Sequence, residues 1–190
     1  MKHPQVCKQV LAAAAFSVLA IGSAQAVPVV SLTVSPSPAA IGSTVVVNVL
    51  ISGAVDLYAY QFSLLFNPAV LQATTSTEGG FLPTAGTTFF VSGSVNNTLG
   101  AVNFTAGTLL GMLPGATGNG TLATLSFNAA ALGISTLGFR DMLLLDSENL
   151  GITPQLQSGV VSVVPEASTW LMFGLGLAGV AGFVRRRATA

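Results

Sequence analysis

The middle of this chain holds few side chains capable of acid–base or metal chemistry. Between residues 27 and 164 the charged residues are one arginine and five carboxylates: Arg140, Asp56, Glu78, Asp141, Asp146 and Glu148. Histidine and cysteine are missing from this stretch, because His3 and Cys7, the only ones in the chain, lie near its start. Nucleophilic triads and zinc sites depend on those two residue types. Neither chemistry is therefore predicted.

The carboxylates at residues 141–148 are the one candidate metal site. Asp141, Asp146 and Glu148 lie close together in the sequence, and oxygen ligands of this kind suit calcium. Their spacing lacks the regular Asp-x-Asp-x-Asp-Gly pattern of a calcium loop, so a solvated edge loop is the alternative. Arg140 is predicted to point to the opposite strand face from Asp141 and to form a surface ion pair. Calcium is thus the only cofactor that the sequence suggests.

Two further function classes can be judged from charge and composition. A pair of carboxylates can hydrolyse a glycosidic bond, with one acting as acid and the other flanking the sugar. No aromatic-rich sugar cleft accompanies these carboxylates, because most aromatic residues belong to the predicted core. The net charge of residues 27–164 is −4, and without clustered Lys and Arg no nucleic acid partner is expected. The sequence favours a non-enzymatic protein.

The elements that must position these side chains are predicted to be β-strands, and the strongest spans residues 57–66. Its large apolar residues alternate along one face: Tyr58, Tyr60, Phe62, Leu64 and Phe66. Ala59, Gln61 and Ser63 form the other, more polar face. Such alternation is typical of a strand with one side in a core. The Gln61/Ser63 face is therefore a candidate binding face, with the loops at one end of the domain as the alternative.

Other short strands are predicted on both sides of this segment. They cover residues 29–34, 44–51 (ended by Gly53), 87–92, 101–106, 121–128, 135–140, 142–145 and 159–163. Turn residues rich in Gly, Asn and Pro separate them, and no helical periodicity of any length occurs. Eight or nine short strands with this spacing predict an all-β fold, an antiparallel β-sandwich over residues 27–162.

The first residues, 1–26, have the pattern of a signal peptide. Two lysines precede an apolar run at residues 10–21, and the small residues Ala24 and Ala26 follow it in a small-x-small cleavage pattern. We expect a signal helix that signal peptidase removes after Ala26. A retained N-terminal anchor is the alternative, although the apolar run of about twelve residues is short for a membrane span.

The last residues, 163–190, combine a polar leader, an apolar run and an arginine cluster. The uncharged run from residue 170 to 184 gives about 22 Å of helix against a hydrocarbon core of about 30 Å. A transmembrane helix is predicted at about residues 168–184, with the arginines on the cytoplasmic side. The residues that define this pattern are Val164, Pro165, Glu166, Ser168, Thr169, Trp170, Arg185, Arg186 and Arg187.

This tail resembles a PEP-CTERM protein-sorting signal. The resemblance implies recognition by an exosortase, a membrane processing enzyme of Gram-negative bacteria that make extracellular polysaccharide. It implies a single-pass precursor in the inner membrane with a cytoplasmic C-terminus, followed by release to the cell surface or matrix. Ala167 stands where the motif has its second proline, which leaves sorting expected but makes the particular processing enzyme less defined. A plain C-terminal membrane anchor is the alternative.

The middle of the chain resembles a cohesin-type jelly-roll domain. The resemblance rests on Tyr60-x-Phe62, on residues 66–71, on a strand at 122–127, on residues 141–149 and on the closing segment 158–161. This family shares its sandwich with several carbohydrate-binding modules, and cohesins bind dockerins. Together with the two terminal signals, the resemblance implies an exported, non-enzymatic surface or matrix protein with a binding or structural role, whose partner is polysaccharide or another surface protein. A carbohydrate-binding module acting on polysaccharide is the alternative, and a glycoside hydrolase is less favoured.

Overall fold

The computed structural model describes residues 27–166 and 172–176. The first of these ranges contains β-strands and one 3-10 turn, at Leu82–Thr84. In chain order the strands are β1 (Val29–Ser35), β2 (Ala39–Ala40), β3 (Thr44–Leu65), β4 (Leu71–Glu78), β5 (Thr88–Asn96), β6 (Ala101–Leu109), β7 (Ala116–Ala129), β8 (Gly133–Asp146), β9 (Gly151–Ile152), β10 (Gln155–Leu156) and β11 (Gly159–Val164).

Strand β3 organises the domain because it contributes to both layers of a sandwich. Its first part, up to Ile51, pairs with β1 on one side and β7 on the other. Its second part, from residue 59 onward, pairs with β6 and β8. Between them the register with β7 shifts twice, and Gly53 and Asp56 have φ angles of 70° and 56°. The prediction that Gly53 ends a strand is therefore wrong, because the left-handed backbone bends the strand without ending it.

The two layers follow from this pairing. One layer has the strand order β4, β7, β3 and β1, and the other has the order β5, β6, β3 and β8. These neighbours are antiparallel. Two short parallel pairs extend the edges, β10 beside β1 and β2 beside β11, while β11 also pairs with the start of β8. The predicted all-β antiparallel sandwich is confirmed.

Alternating apolar residues from the two layers meet in the core. The β-branched face of β3 (Val45, Val47, Val49 and Ile51) is buried, and so are Tyr60, Phe62 and Leu64 from its second part. The Phe62 ring stands edge-on to Phe139 of β8, with centroids 5.9 Å apart. Phe66 makes a similar contact with Phe127 of β7 at 5.2 Å. The first contact lies within one layer, between the paired strands β3 and β8, whereas the second reaches β7 of the other layer.

Several elements differ from the sequence prediction. Strand β4 was not predicted, since its sequence LQATTSTE contains only one large apolar residue. The segments predicted at 135–140 and 142–145 are one strand, β8, interrupted by a bulge at Asp141 with φ of 55°. The predicted signal helix at 1–26 and most of the predicted membrane helix lie outside the described residues. Residues 172–176 are helical. Within the described residues no helix is long and apolar enough to cross a membrane.

Candidate binding face on the β5–β6–β3–β8 sheet

The outward surface of the sheet β5–β6–β3–β8, here called the outer face, contains a shallow groove. The groove encloses about 170 Å³ and is mostly apolar. Its lining residues come from all four strands: Ala59, Tyr60 and Gln61 of β3, Phe89 and Val91 of β5, Ala106, Gly107 and Thr108 of β6, and Leu143 and Leu145 of β8. Phe89 and Leu143 are exposed. The predicted Gln61 face is therefore the floor of this groove.

Small residues at the centre of the sheet produce the concave shape. Ala59 and Ala106 give the floor little height, while Phe89 and Leu143 stand on the flanking strands. Gly107 is needed for a different reason, because an added Cβ would come within 2.7 Å of the Tyr60 ring. The ring thus packs directly beneath the β6 backbone. The close packing of Tyr60 against Gly107 therefore links the groove to the core beneath it.

A buried phenol lies under this floor. The Tyr60 hydroxyl donates a hydrogen bond to the carbonyl oxygen of Leu122, at 2.5 Å. Burial raises the pKa of Tyr60 well above its usual value, and the nearby Glu78 carboxylate adds to the effect. The Glu78 Oε2 atom accepts a hydrogen bond from the Thr88 hydroxyl at 3.0 Å. Tyr60 is therefore a structural hydrogen-bond donor and does not contribute a reactive group to the groove.

A polar cluster lies on the outer face beyond the groove, around Ser63. The Ser63 hydroxyl accepts a hydrogen bond from the Phe104 backbone N–H (3.2 Å) and lies 3.4 Å from Asp141 Oδ2. Arg140 Nε lies 3.2 Å from the same Asp141 oxygen, and its Nη2 donates to Asn103 Oδ1 at 2.9 Å. Apolar and charged groups thus share one exposed sheet face.

Backbone bulges create this polar cluster. Phe104 and Asp141 have φ angles of 58° and 55°, and they lie on the strands to either side of Ser63. Non-glycine residues seldom adopt this conformation, and it concentrates at functional sites. The bulge also corrects the prediction for Arg140: its ion-pair partner is Asp141, because the bulged backbone brings neighbouring side chains to one side of the strand.

A sugar-binding platform would present exposed aromatic rings, so the exposure of the aromatic residues bears on the carbohydrate-binding alternative. Tyr60 and Phe81 are buried in the core. Tyr58 is partly buried, and its hydroxyl donates to the Gly111 carbonyl oxygen at 2.5 Å. Phe89 and Phe104 are exposed, but neither makes a ring contact with another aromatic residue among those described. The structure gives no support to a stacked aromatic platform.

A second candidate surface lies at the loops predicted as the alternative binding site. A cleft of about 700 Å³ separates residues 111–114 from Ser147 and Asn149, with Tyr58 at its base. Asp56 holds the two sides in place, because its carboxylate accepts hydrogen bonds from the Ser147 hydroxyl (2.6 Å) and from the Gly115 backbone N–H (2.5 Å). Both hydrogen bonds lower the pKa of Asp56, and the one from the Ser147 hydroxyl has the larger effect. The pKa therefore stays below its usual value although desolvation would raise it. Asp56 therefore connects the two loops that border the cleft.

The predicted calcium ligands do not converge. Asp141 belongs to the polar cluster of the outer face, whereas Asp146 Oδ1 accepts hydrogen bonds from the Glu148 and Leu150 backbone N–H groups at 2.9 and 2.8 Å. Glu148 is exposed. Among the described residues no group of three or more carboxylate, histidine or cysteine side chains could hold a metal ion. The geometry gives no support to the calcium prediction.

The predicted sorting residues fall at the boundary of the described structure. Val164 is the last residue of β11 and lies opposite Ala40 of β2. Pro165 and Glu166 follow directly, outside any strand. Ser168, Thr169, Trp170, Arg185, Arg186 and Arg187 lie outside the described residues, as do Ala24 and Ala26 of the predicted signal cleavage site.

Comparison with known protein families identifies both parts of the chain. The family description "Cohesin domain" matches residues 30–163. The chain belongs to the cohesin family. A second description, "PEP-CTERM protein-sorting motif", matches residues 163–187. The chain therefore carries a cohesin domain that is followed immediately by a sorting signal, the combination expected of an exported surface protein. No curated protein matches the chain.

Solved structures support the fold of this cohesin domain. A type II cohesin domain from the cellulosome of Acetivibrio cellulolyticus is 19% identical, with a TM-score of 0.62, covering 72% of this chain and 95% of that one. A non-cellulosomal cohesin from the archaeon Archaeoglobus fulgidus is 15% identical with a TM-score of 0.56, covering 77% of this chain and 98% of that one. A type I cohesin–dockerin complex from Clostridium thermocellum is 15% identical with a TM-score of 0.56, covering 72% of this chain and 99% of that one. Identities this low show the fold alone.

Sequence reasoning found part of the outer face and missed the rest. It selected Gln61 and Ser63 but did not include Phe89, Phe104 or Leu143. One signal was available: two adjacent phenylalanines, Phe89 and Phe90, cannot both face the core of a strand. The four consecutive large apolar residues at 142–145 give the same indication, because neighbouring residues of a strand face opposite sides. No sequence signal marked the bulges at Phe104 and Asp141.

Proposed function

We propose that this protein is an exported, non-enzymatic cell-surface protein whose cohesin domain binds a partner protein through its outer face. The predicted signal peptide, residues 1–26, directs export and is removed after Ala26. The domain then remains attached through the PEP-CTERM tail until an exosortase processes it. The observation that carries the proposal is the junction of a cohesin domain and a sorting motif at residue 163.

Features of the outer face support protein binding in preference to catalysis. Exposed apolar side chains, Phe89, Phe104 and Leu143, lie on the same sheet as the Arg140–Asp141 pair. An apolar centre with aromatic and arginine residues is the composition of protein-binding surfaces. The sheet is also rigid, since its central strand is paired on both sides. Dockerin-bearing proteins are the partner class to test first, because three similar cohesin structures are complexes with a dockerin.

Mass spectrometry of the protein recovered from the cell surface tests the sorting part of the proposal. We expect an N-terminus at residue 27 and a C-terminus between residues 165 and 169. An intact arginine cluster on the surface-exposed protein would instead indicate a permanent anchor. Deletion of residues 185–187 is the control variant. This shortened chain should remain in the membrane fraction without being processed.

Substitution in the groove tests the binding part. Leu143→Asp places a charge on the exposed wall of the groove, while Val160→Asp changes an equally exposed residue of β11 outside it. We expect Leu143→Asp to weaken binding of a dockerin-bearing or other surface partner at least about tenfold, because a buried unpaired charge opposes association. Val160→Asp should bind normally. Equal binding by both variants contradicts the assignment, and loss of polysaccharide binding alone would favour the carbohydrate-binding alternative.

A further inference from the structure

Both ends of the sandwich expose large apolar side chains, but they differ in charge. We call the end from which β11 leaves the tail-proximal end, formed by residues 39–43, 66–70, 97–100 and 129–135. Backbone hydrogen bonds join these segments: Ile41 to Val164 (3.1 Å), Gly42 to Ala129 (2.8 Å) and Phe66 to Gly100 (2.8 Å). The tail-distal end is formed by residues 52–56, 110–117 and 146–150, which Asp56 connects.

The tail-proximal end combines exposed aliphatic side chains with four segments that carry no charge. Its four segments contain no Asp, Glu, Lys or Arg. Four large apolar residues are exposed there, with these fractions of their surface accessible: Ile41 39%, Leu99 74%, Leu132 52% and Ile134 64%. Glu166 follows in the leader to the tail. A water-exposed surface of this composition suits an apolar or interfacial environment.

The tail-distal end also exposes large apolar residues, namely Val55, Leu110, Met112, Leu113 and Leu150, but it differs in carrying negative charge. Asp56, Asp146 and Glu148 lie there, and its segments contain no Lys or Arg. The one arginine of residues 27–166 is on the outer face, where it pairs with Asp141. The net negative charge of the domain is therefore displaced away from the end that leads to the tail. An anionic lipid surface would repel the tail-distal end and tolerate the tail-proximal one.

The length of the chain beyond β11 limits how far this end can stand from a bilayer. Six residue steps separate Val164 from Trp170, the start of the apolar run. Fully extended, six steps reach about 20 Å. If the apolar run is inserted, the tail-proximal end must lie within about that distance of the headgroups. Short tethering makes weak contacts effective, because the effective concentration of the surface is high.

We propose that the tail-proximal end of the cohesin domain rests on the lipid surface while the tail is uncleaved. The contact residues are Ile41, Leu99, Leu132 and Ile134, and the partner is the headgroup region of an anionic bilayer. In this orientation the strands of the outer face run away from the membrane surface. This inference rests on the proposed function, because it requires the tail to be inserted.

Depth-dependent fluorescence quenching tests the contact. The exported precursor is purified from membranes of cells that lack the processing enzyme and reconstituted in vesicles of phosphatidylethanolamine with a minority of phosphatidylglycerol. In a Cys7→Ser background, single cysteines Leu132→Cys, Leu99→Cys and Met112→Cys carry an environment-sensitive dye. The vesicles contain a headgroup nitroxide lipid as quencher. We expect severalfold stronger quenching at 132 and 99 than at 112 on the tail-distal end.

The single tryptophan separates the two possible failures. Trp170 is the only tryptophan of the chain, so its quenching by lipids brominated in the acyl chain reports tail insertion directly. Quenched Trp170 with equally weak signals at 132, 99 and 112 overturns the inference and leaves the proposed function intact. Unquenched Trp170 overturns both. A shift in dye emission at 132 without lipid quenching, seen only when the processing enzyme is added, would replace the lipid with that enzyme as partner.

A charge substitution gives an independent readout. Leu132→Asp adds a carboxylate to an exposed position of the tail-proximal end, and Met112→Asp adds one to an exposed position of the tail-distal end. With the dye at residue 99, Leu132→Asp should reduce quenching severalfold in anionic vesicles, whereas Met112→Asp should not. Equal quenching in the two variants contradicts the proposal.

Discussion

The two faces of the second part of β3 show how one strand serves two purposes. On the inner face, Tyr60, Phe62 and Leu64 are almost inaccessible to solvent. On the outer face, Ala59 and Gln61 are partly exposed at the floor of the groove. The inner residues are large and determine stability, whereas the outer residues are small and leave room for a partner. Stability and binding should therefore respond to different substitutions along the same strand.

The largest expected effect is on the inner face. Phe62→Ala removes a fully buried ring that packs against Tyr60 and Phe139. The lost transfer energy and the cavity should lower the free energy of unfolding by about 3–5 kcal/mol. Urea unfolding followed by circular dichroism measures the change. Gln61→Ala on the outer face is the matched control and should cost less than about 0.5 kcal/mol; similar losses in the two variants would remove the distinction between the faces.

Glycine 107 lies where the two faces meet, and its replacement should have the next largest effect. Gly107→Ala places a Cβ within 2.7 Å of the Tyr60 ring, so the ring or the β6 backbone must move. Overpacking of this kind costs about 1–3 kcal/mol, which thermal and urea unfolding would both detect. Gly138→Ala in β8 is the control, because its added Cβ meets nothing within 4 Å. A Gly107→Ala protein as stable as the Gly138→Ala protein would contradict the close packing beneath the groove.

The inner face was predictable from the sequence and most of the outer face was not. Alternation of Tyr60, Phe62 and Leu64 with small or polar residues indicates a half-buried strand, because burial repeats every two residues. The position of Gln61 opposite Leu143 and Ala106 depends on pairing with distant strands. Register over such sequence distances leaves no local signal. The sequence could therefore indicate which side of β3 is exposed but not which neighbours complete the groove.

Bulges account for a second part of what was missed. Asp141 and Phe104 adopt left-handed backbone angles although neither is glycine. Strict alternation places Arg140 and Asp141 on opposite faces, and this expectation failed because the bulge inserts a residue into the ladder. Strand β4 was missed for another reason: polar, β-branched residues such as Thr74, Thr75 and Thr77 suit a strand, but they carry no apolar pattern to reveal it.

The phenol of Tyr60 offers a pH test of the inner face. Burial raises its pKa in the folded protein above the unfolded value, so folding favours the protonated form. Its contribution to stability is complete below about pH 10, the ordinary tyrosine value, and is lost as the pH rises through the folded-state pKa. In a Tyr58→Phe variant, in which Tyr60 is the sole tyrosine, ultraviolet absorbance should show ionisation only well above pH 10, together with unfolding. Ionisation near pH 10 in the folded protein would contradict burial.

The smallest effect is expected on the outer face, at the ion pair. The Arg140 and Asp141 side chains are 52% and 59% exposed, and an exposed pair contributes little because water and salt screen it. Arg140→Ala should therefore change the free energy of unfolding by less than about 0.5 kcal/mol, measured by urea unfolding at low and high salt. Binding of a partner that uses the outer face should fall more than stability does, since arginine is enriched at such surfaces. A loss of stability as large as that of Gly107→Ala would mean that the polar cluster holds the bulged strands together, and the outer face would then share the structural role assigned here to the inner one.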